Sequence, residues 1–509
     1  MRPKRKNVCQ DCRSRKLACD GAQPSCSQCV HRHISCSGYK QDFVFVPTTA
    51  SKDSKKVTTV KEDMTVESTP LLSTSPIATQ SHVVEQHNHS APLINAARQE
   101  ATMAVGSLES PESYRDLQDN ILFIVQHYAP TATNTPEEAI LSHNQICGAW
   151  VNVLPLIAQS RTIGQPLVSA IETLATALRH HDVIGGLFQP QILELYCNSL
   201  GHVAKALAEA QGIFRVEHCA AIMRLAVADV VTPGLKSGWM THARGVGDMM
   251  QALGPMPFSV GMMHSMFIGF RPLLLMSSII NRRGLFLARE EWITLPFHGQ
   301  PVSMMQRILN IVCILPSLLE RYDTLVALSE TSNLGEVERL WIDCHAFLTN
   351  LRIWERSSQS QAIGPLVWST PDHGSRSFSN ASALWFPNML VANSLTHYWA
   401  FEIIIRLHLN TLEQMIDTTK GCELQSCLPN CDEGLGEKPL VELAEMICDS
   451  IPFLLQPEMK LHGLGSAFFI LPTALRVLRS APDPTAERLA RCQQMSELLA
   501  SNGVEFPYE

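Results

Sequence analysis

Within the first 40 residues, Cys9, Cys12, Cys19, Cys26, Cys29 and Cys36 spell two copies of one spacing, C-x2-C-x6-C, separated by six residues. A segment this short has too little apolar surface for a core of its own, so it needs metal or disulfide cross-links to fold. Two residues between paired cysteines let both sulfurs reach one zinc ion, which normally takes four thiolate or imidazole ligands in a tetrahedron. Three cysteines per half leave each metal one ligand short. Two zinc ions can share six thiolates if two sulfurs bridge, and the repeat makes the first cysteine of each half, Cys9 and Cys26, the natural bridge. One zinc would then take Cys9, Cys12, Cys19 and Cys26, and the other Cys26, Cys29, Cys36 and Cys9. Ligation by His31 or His33 is the alternative.

A disulfide framework competes with metal for six cysteines. The chain, however, opens Met1-Arg2-Pro3-Lys4-Arg5-Lys6 with no apolar leader run after it, which points to a reducing compartment where thiolates bind metal. The ten cysteines beyond residue 40 are scattered through apolar sequence and read as small buried hydrophobes.

The two halves of the repeat differ in charge. Residues 10–18 carry Arg13, Arg15 and Lys16 against one acid, Asp11, whereas residues 27–35 carry only Arg32 between two histidines. A short helix after Cys12 would project Arg15 and Lys16 outward, and long cationic donors suit the guanine O6 and N7 acceptors of the DNA major groove. Arg2, Lys4, Arg5, Lys6 and Arg13 add charge for phosphates, which raises affinity without reading sequence. Residues 2–6 also read as a nuclear import signal.

The stretch Cys9 to Cys36 closely resembles the DNA-binding domain of the fungal binuclear zinc-cluster regulators. Arg13-Ser14-Arg15-Lys16-Leu17-Ala18-Cys19-Asp20 looks like that family's basic run, and Pro24 matches the proline of its inter-half loop. The resemblance implies that Lys16, with Arg15 beside it, contacts bases of a CGG-type triplet, and that Cys9 and Cys26 bridge two zinc ions. Ala18 departs from the pattern, standing where a basic residue is common, which weakens phosphate contact.

Charge divides the chain. Residues 1–40 hold nine Lys or Arg against two Asp or Glu, and the remainder holds 31 against 46, formal balances of +7 and −15. A cationic head on an acidic body leaves the body without a DNA-binding surface. From 41 to 111 the chain is rich in Ser, Thr, Val and Lys and has Phe43 and Phe45 as its only aromatics until Tyr114. It reads as a disordered linker lacking the apolar heptads of a coiled coil, which leaves open whether the chain forms dimers.

From 112 to 509 the expected class is all-helical, so the whole chain reads as mostly α. Ile192, Tyr196, Leu200, Val203 and Leu207, and later Leu440, Ala444, Ile447, Ile451 and Leu454, recur at helical spacing. Cys219 to Val231 is apolar nearly all round, as for a central helix. Val260 to Ile280 is the most apolar run, but His264 and Arg271-Pro272 interrupt it, so a buried helical hairpin is expected there and no membrane span.

This region resembles the large helical regulatory domain that accompanies zinc clusters in one branch of fungal transcription factors. The resemblance is carried by Gly238-Trp239-Met240-Thr241-His242-Ala243-Arg244-Gly245 with Leu253-Gly254-Pro255, by Arg282-Arg283 through Phe286-Leu287 to Glu291-Trp292, and by Ile447-Cys448-Asp449-Ser450 to Gln456-Pro457-Glu458-Met459. Trp239 and His242 share a helix face, and Gly245 reads as a point of close helix approach.

No phosphate loop, G-x-S-x-G elbow or H-E-x-x-H helix is present, so no catalytic residue is assigned and the chain reads as a non-enzyme. His180-His181-Asp182 reads as a helix end or turn, and Cys422, Cys427 and Cys431 as a surface loop. Met262, Met263, Met266, Met304 and Met305 read as core fillers, with an adaptable ligand pocket as the second use. The resemblance implies a nuclear regulator of RNA polymerase II genes. Its partners would be double-stranded DNA with CGG-type triplets and the transcription machinery, and its role that of a pathway-specific activator of a secondary-metabolite gene cluster. A broader metabolic or stress regulator, or a repressor, possessing a ligand-gated helical domain is the alternative.

Overall fold

Beyond position 110, apolar residues recur every three or four positions, and the chain answers by forming helices that bury those stripes. The computed structural model describes residues 12, 15, 19, 26–32 and 34 near the N-terminus, then 111–128, 149–158, 163–184, 190–210, 215–232, 238–327, 334–370, 383–420, 438–480, 490, 493–495 and 497. The chain divides into two units, Met1–Asn88 and His89–Glu509. The proposed linker, residues 41–111, lies outside the described residues except for Pro111, which begins a helix.

In the first unit the described helix is α1, Ser27–His31. The second unit is built from α2 (Pro111–Tyr128), a 3-10 turn (Ala149–Val153), α3 (Leu154–Ala158), α4 (Gln165–Ile184), α5 (Pro190–Glu209), α6 (Val216–Val231), α7 (Gly238–Leu253) and α8 (Gly261–Asn281). It continues through α9 (Glu290–Thr294), α10 (Met304–Val312), α11 (Leu315–Ala327), α12 (Leu334–Gln361), α13 (Met389–Lys420), α14 (Leu440–Leu454) and α15 (Lys460–Arg479). Among the described residues the strands are β1 (Trp368–Thr370) and β2 (Ala383–Trp385), an antiparallel pair with Trp368 opposite Trp385.

Two apolar cores fill this unit. One gathers around α6, with α4 and α7 packed on it, and the other around α13, with α12 and α14 packed on it. The expected all-round burial of α6 holds from His218 through Asp229. Helix α8 serves both cores, giving Met266 to Leu274 to the first and Leu275, Met276 and Ile279 to the second.

The run from Val260 to Ile280 is therefore one helix and not a hairpin. Pro272 sits inside it, and a proline frees the carbonyl four residues earlier. That carbonyl, on Ile268, accepts a hydrogen bond from Gln306 Nε2 at 2.9 Å. With its orphan acceptor satisfied, the helix runs on through the proline. Among the described residues, the two helical stretches apolar and long enough to cross a membrane, Gly261–Asn281 and Pro457–Arg479, are mostly buried within the body.

Two of the three stretches read in the sequence as resembling a helical regulatory domain pack the body together. Trp239 is buried in α7. Arg282 closes α8 in the left-handed region, φ 52°, and reaches Asp323 of α11 through two hydrogen bonds of 2.6 and 2.7 Å. Arg283 and the Gly284 amide both donate to Glu320, and Phe286 meets Trp292 edge to face at 4.7 Å. Gly245 does not mediate close approach, because a Cβ there would meet open space. The tight glycines of α7 are Gly238, against the Asp229 carboxylate, and Gly247, against Leu274.

Candidate metal and nucleic-acid site

A helix of five residues has almost no intrinsic stability, so α1 must be held from outside. Cys26 does this as its N-cap: its sulfur accepts from the Cys29 amide at 3.4 Å. One turn of helix then sets the Cys26 and Cys29 sulfurs side by side, which is what two intervening residues achieve. Cys12 arrives from the other half of the repeat, its sulfur 3.6 Å from that of Cys26. The Cys12, Cys26 and Cys29 sulfurs all lie within 4.8 Å of one another.

These distances discriminate between cross-links. Sulfurs 3.6 Å apart are far beyond a disulfide bond of about 2.05 Å. They match the separation of about 3.8 Å that a tetrahedron with metal–sulfur bonds of about 2.3 Å imposes. Cys12, Cys19, Cys26 and Cys29 are buried, whereas Ser27, Gln28, Val30, His31 and Arg32 of the α1 segment are exposed. His31 is not among the gathered ligand atoms. The thiolate set thus fits zinc, with Cys26 beside a sulfur of each half.

Arg15 lies in a turn and is exposed, free of the buried sulfur cluster, as a base- or phosphate-contacting side chain must be. Cys9, Cys36, Arg2, Lys4, Arg5, Lys6, Arg13, Lys16 and His33 lie outside the described residues.

The other sequence candidates sit in the helical body. His180 is half-buried in the last turns of α4, while the side chains of His181 and Asp182 lie outside the described residues, as do Cys422, Cys427 and Cys431. The five methionines do not form one pocket: Met266 and Met305 are buried, Met263 and Met304 partly so, and Met262 is exposed.

Sequence reading missed a set of buried polar residues. His242 Nε2 lies 2.6 Å from the Tyr196 hydroxyl and 3.6 Å from Asp229 Oδ2. Burial holds the imidazole neutral, down at about 4, and pushes the Asp229 carboxyl up to about 7; which of the ring and the tyrosine hydroxyl donates is set by the histidine tautomer. Arg224, fully buried, donates to the Ala220 carbonyl at 2.6 Å and lies over the Trp150 ring at 5.0 Å. Arg271, also fully buried, donates to Gln306 Oε1 at 3.1 Å and to Cys313 Sγ at 3.4 Å. The one signal available was a polar letter inside an apolar helical run.

Residues 7–43 match the family model of the fungal Zn(2)-Cys(6) binuclear cluster domain. No curated protein and no solved structure matches the chain.

Proposed function

We propose that this fungal Zn(2)-Cys(6) binuclear cluster protein, a DNA-binding transcription factor that holds two zinc ions on six cysteines, acts in the nucleus as a pathway-specific activator of a secondary-metabolite gene cluster. The observation that carries the DNA-reading part is the gathering of the Cys12, Cys26 and Cys29 sulfurs in a buried cluster, with Arg15 of the same head exposed. The pathway part follows from the likeness of the helical body to the regulatory domains of fungal cluster regulators.

In this reading Cys9 and Cys26 bridge, Cys12 and Cys19 complete one tetrahedron, and Cys29 and Cys36 the other. The position of Cys26 between Cys29 of its own half and Cys12 of the other supports the bridge. When bound, zinc supplies the cross-links that stand in for a core. The protein's residues do the reading. Arg15 and Lys16 face the base edges of a CGG-type triplet, and Arg2, Lys4, Arg5, Lys6 and Arg13 neutralise phosphates. The acidic helical body regulates and engages the transcription machinery.

Genome-wide chromatin occupancy of the tagged protein, compared with a Cys19→Ala strain and with transcripts from both, tests this. Peaks at CGG-containing sites in a few adjacent promoters, lost in the variant together with their transcripts, are expected. Dispersed peaks would replace the pathway-specific reading with a global one. Peaks that survive the variant would remove the zinc cluster from DNA binding.

A further inference from the structure

A cavity of about 150 Å³ lies where the two cores of the helical body meet. Val231 of α6, Trp239 of α7, Phe270 and Met276 of α8, and Phe468 of α15 form its apolar walls, and Met305 is the single member of the methionine group that reaches it. A void of roughly this volume accommodates a benzene ring.

Three polar atoms on its lining residues have no hydrogen-bond partner: Trp239 Nε1, Asn393 Oδ1 and His462 Nε2. All three residues are deeply buried, at 3%, 3% and 5% exposure. Buried polar groups are almost always paired, because an unmade bond forfeits the full cost of desolvation. Three at one cavity ask for an occupant. Trp239 can only donate, Asn393 Oδ1 can only accept, and the imidazole of His462 can do either according to its tautomer.

We propose that this cavity binds an uncharged, single-ring aromatic molecule bearing a hydroxyl or amide, which accepts from the Trp239 indole N–H and donates to Asn393 Oδ1. The chemistry of the walls sets the charge. No lining residue among those described is Asp, Glu, Lys or Arg, and burial holds His397 and His462 neutral, each lowered to about 4. A charged ligand would lose its hydration with nothing to replace it. Mixed walls, apolar with a few fixed polar groups and placed between two packed halves, are those of small-molecule sites in general. The site belongs to the helical body and does not rest on how the head reads DNA.

The test uses the full chain and fluorine NMR with 4-fluorophenol as the probe, against fluorobenzene and 4-fluorobenzoate. Saturable broadening of 4-fluorophenol is expected, with fluorobenzene at least severalfold weaker and the benzoate silent. Two variants locate the site. A Cβ at Gly465, which lines the cavity, meets nothing within 4 Å, so Gly465→Phe should occlude it and remove binding of 4-fluorophenol. Asn393→Leu exchanges an unpartnered acceptor for an apolar group of similar size, so it should keep its fold, checked by circular dichroism, and erase the preference for 4-fluorophenol over fluorobenzene. No saturable binding by the wild-type chain would overturn the proposal. Binding and preference intact in both variants would overturn it equally.

Discussion

Arg15 is exposed whereas the cysteines of the cluster are buried, and the proposed reading divides the basic residues of the head into base readers and phosphate binders. If Lys16 is a base-edge donor as proposed, Lys16→Ala should cost about 1–3 kcal/mol on a CGG-containing site and relax preference at one base position. If Lys4 is a phosphate contact as proposed, Lys4→Ala should weaken specific and random DNA alike and reduce the salt slope by about one unit. Titrations of both DNAs at several salt concentrations check this, and equal losses on both for Lys16→Ala would reassign that residue to the backbone. At this scale the metal site was legible, since a repeated cysteine spacing encodes a coordination geometry locally. The cavity was not: Trp239, Asn393 and His462 are far apart in sequence and meet only through packing, so no spacing rule could gather them.

At the scale of elements, helical periodicity foretold α5, α6 and α14 because each buries a face whose pattern is set within its own residues. Helix α8 shows where such reading fails. Pro272 looks like a break, and only Gln306, more than thirty residues on, makes it tolerable by bonding the freed Ile268 carbonyl. Helix α15 offers a sharper case in two glycines two residues apart. A Cβ at Gly463 would overlap the Leu454 carbonyl at the end of α14, whereas one at Gly465 meets nothing. Gly463→Ala should therefore destabilise by about 1–3 kcal/mol through overpacking against backbone that cannot yield. Gly465→Ala should stabilise by up to about 1 kcal/mol, as alanine does over glycine within a helix. Urea melts of the two variants check the opposite signs. Equal effects would mean that α14 and α15 do not approach as described.

For the whole molecule, the head and the body answer to different agents. The head has a sulfur cluster for a core, with Ile34 packed against it, so a strong zinc chelator should abolish DNA binding while leaving the helical signal and melting of the body unchanged. The body answers to protons. His242, His397 and His462 are each lowered from 6.5 to about 4, chiefly by burial. A depressed histidine contributes stability that is full above its unfolded value of 6.5 and lost as pH falls toward 4. Asp229 acts in the opposite sense: raised from 3.8 to about 7, it stabilises at low pH and loses that contribution as pH rises. Among these large shifts the three histidines outnumber the one aspartate, so the stability of the body falls as pH drops below 6.5. The melting temperature of the body should fall steadily from pH 7 to pH 5. His462→Gln, which keeps a neutral polar side chain and removes one titration, should flatten that slope by about 1.4 kcal/mol per pH unit. An unchanged slope in His462→Gln would mean that this ring does not resist protonation in the fold, and with it would go the argument that the cavity admits only uncharged ligands.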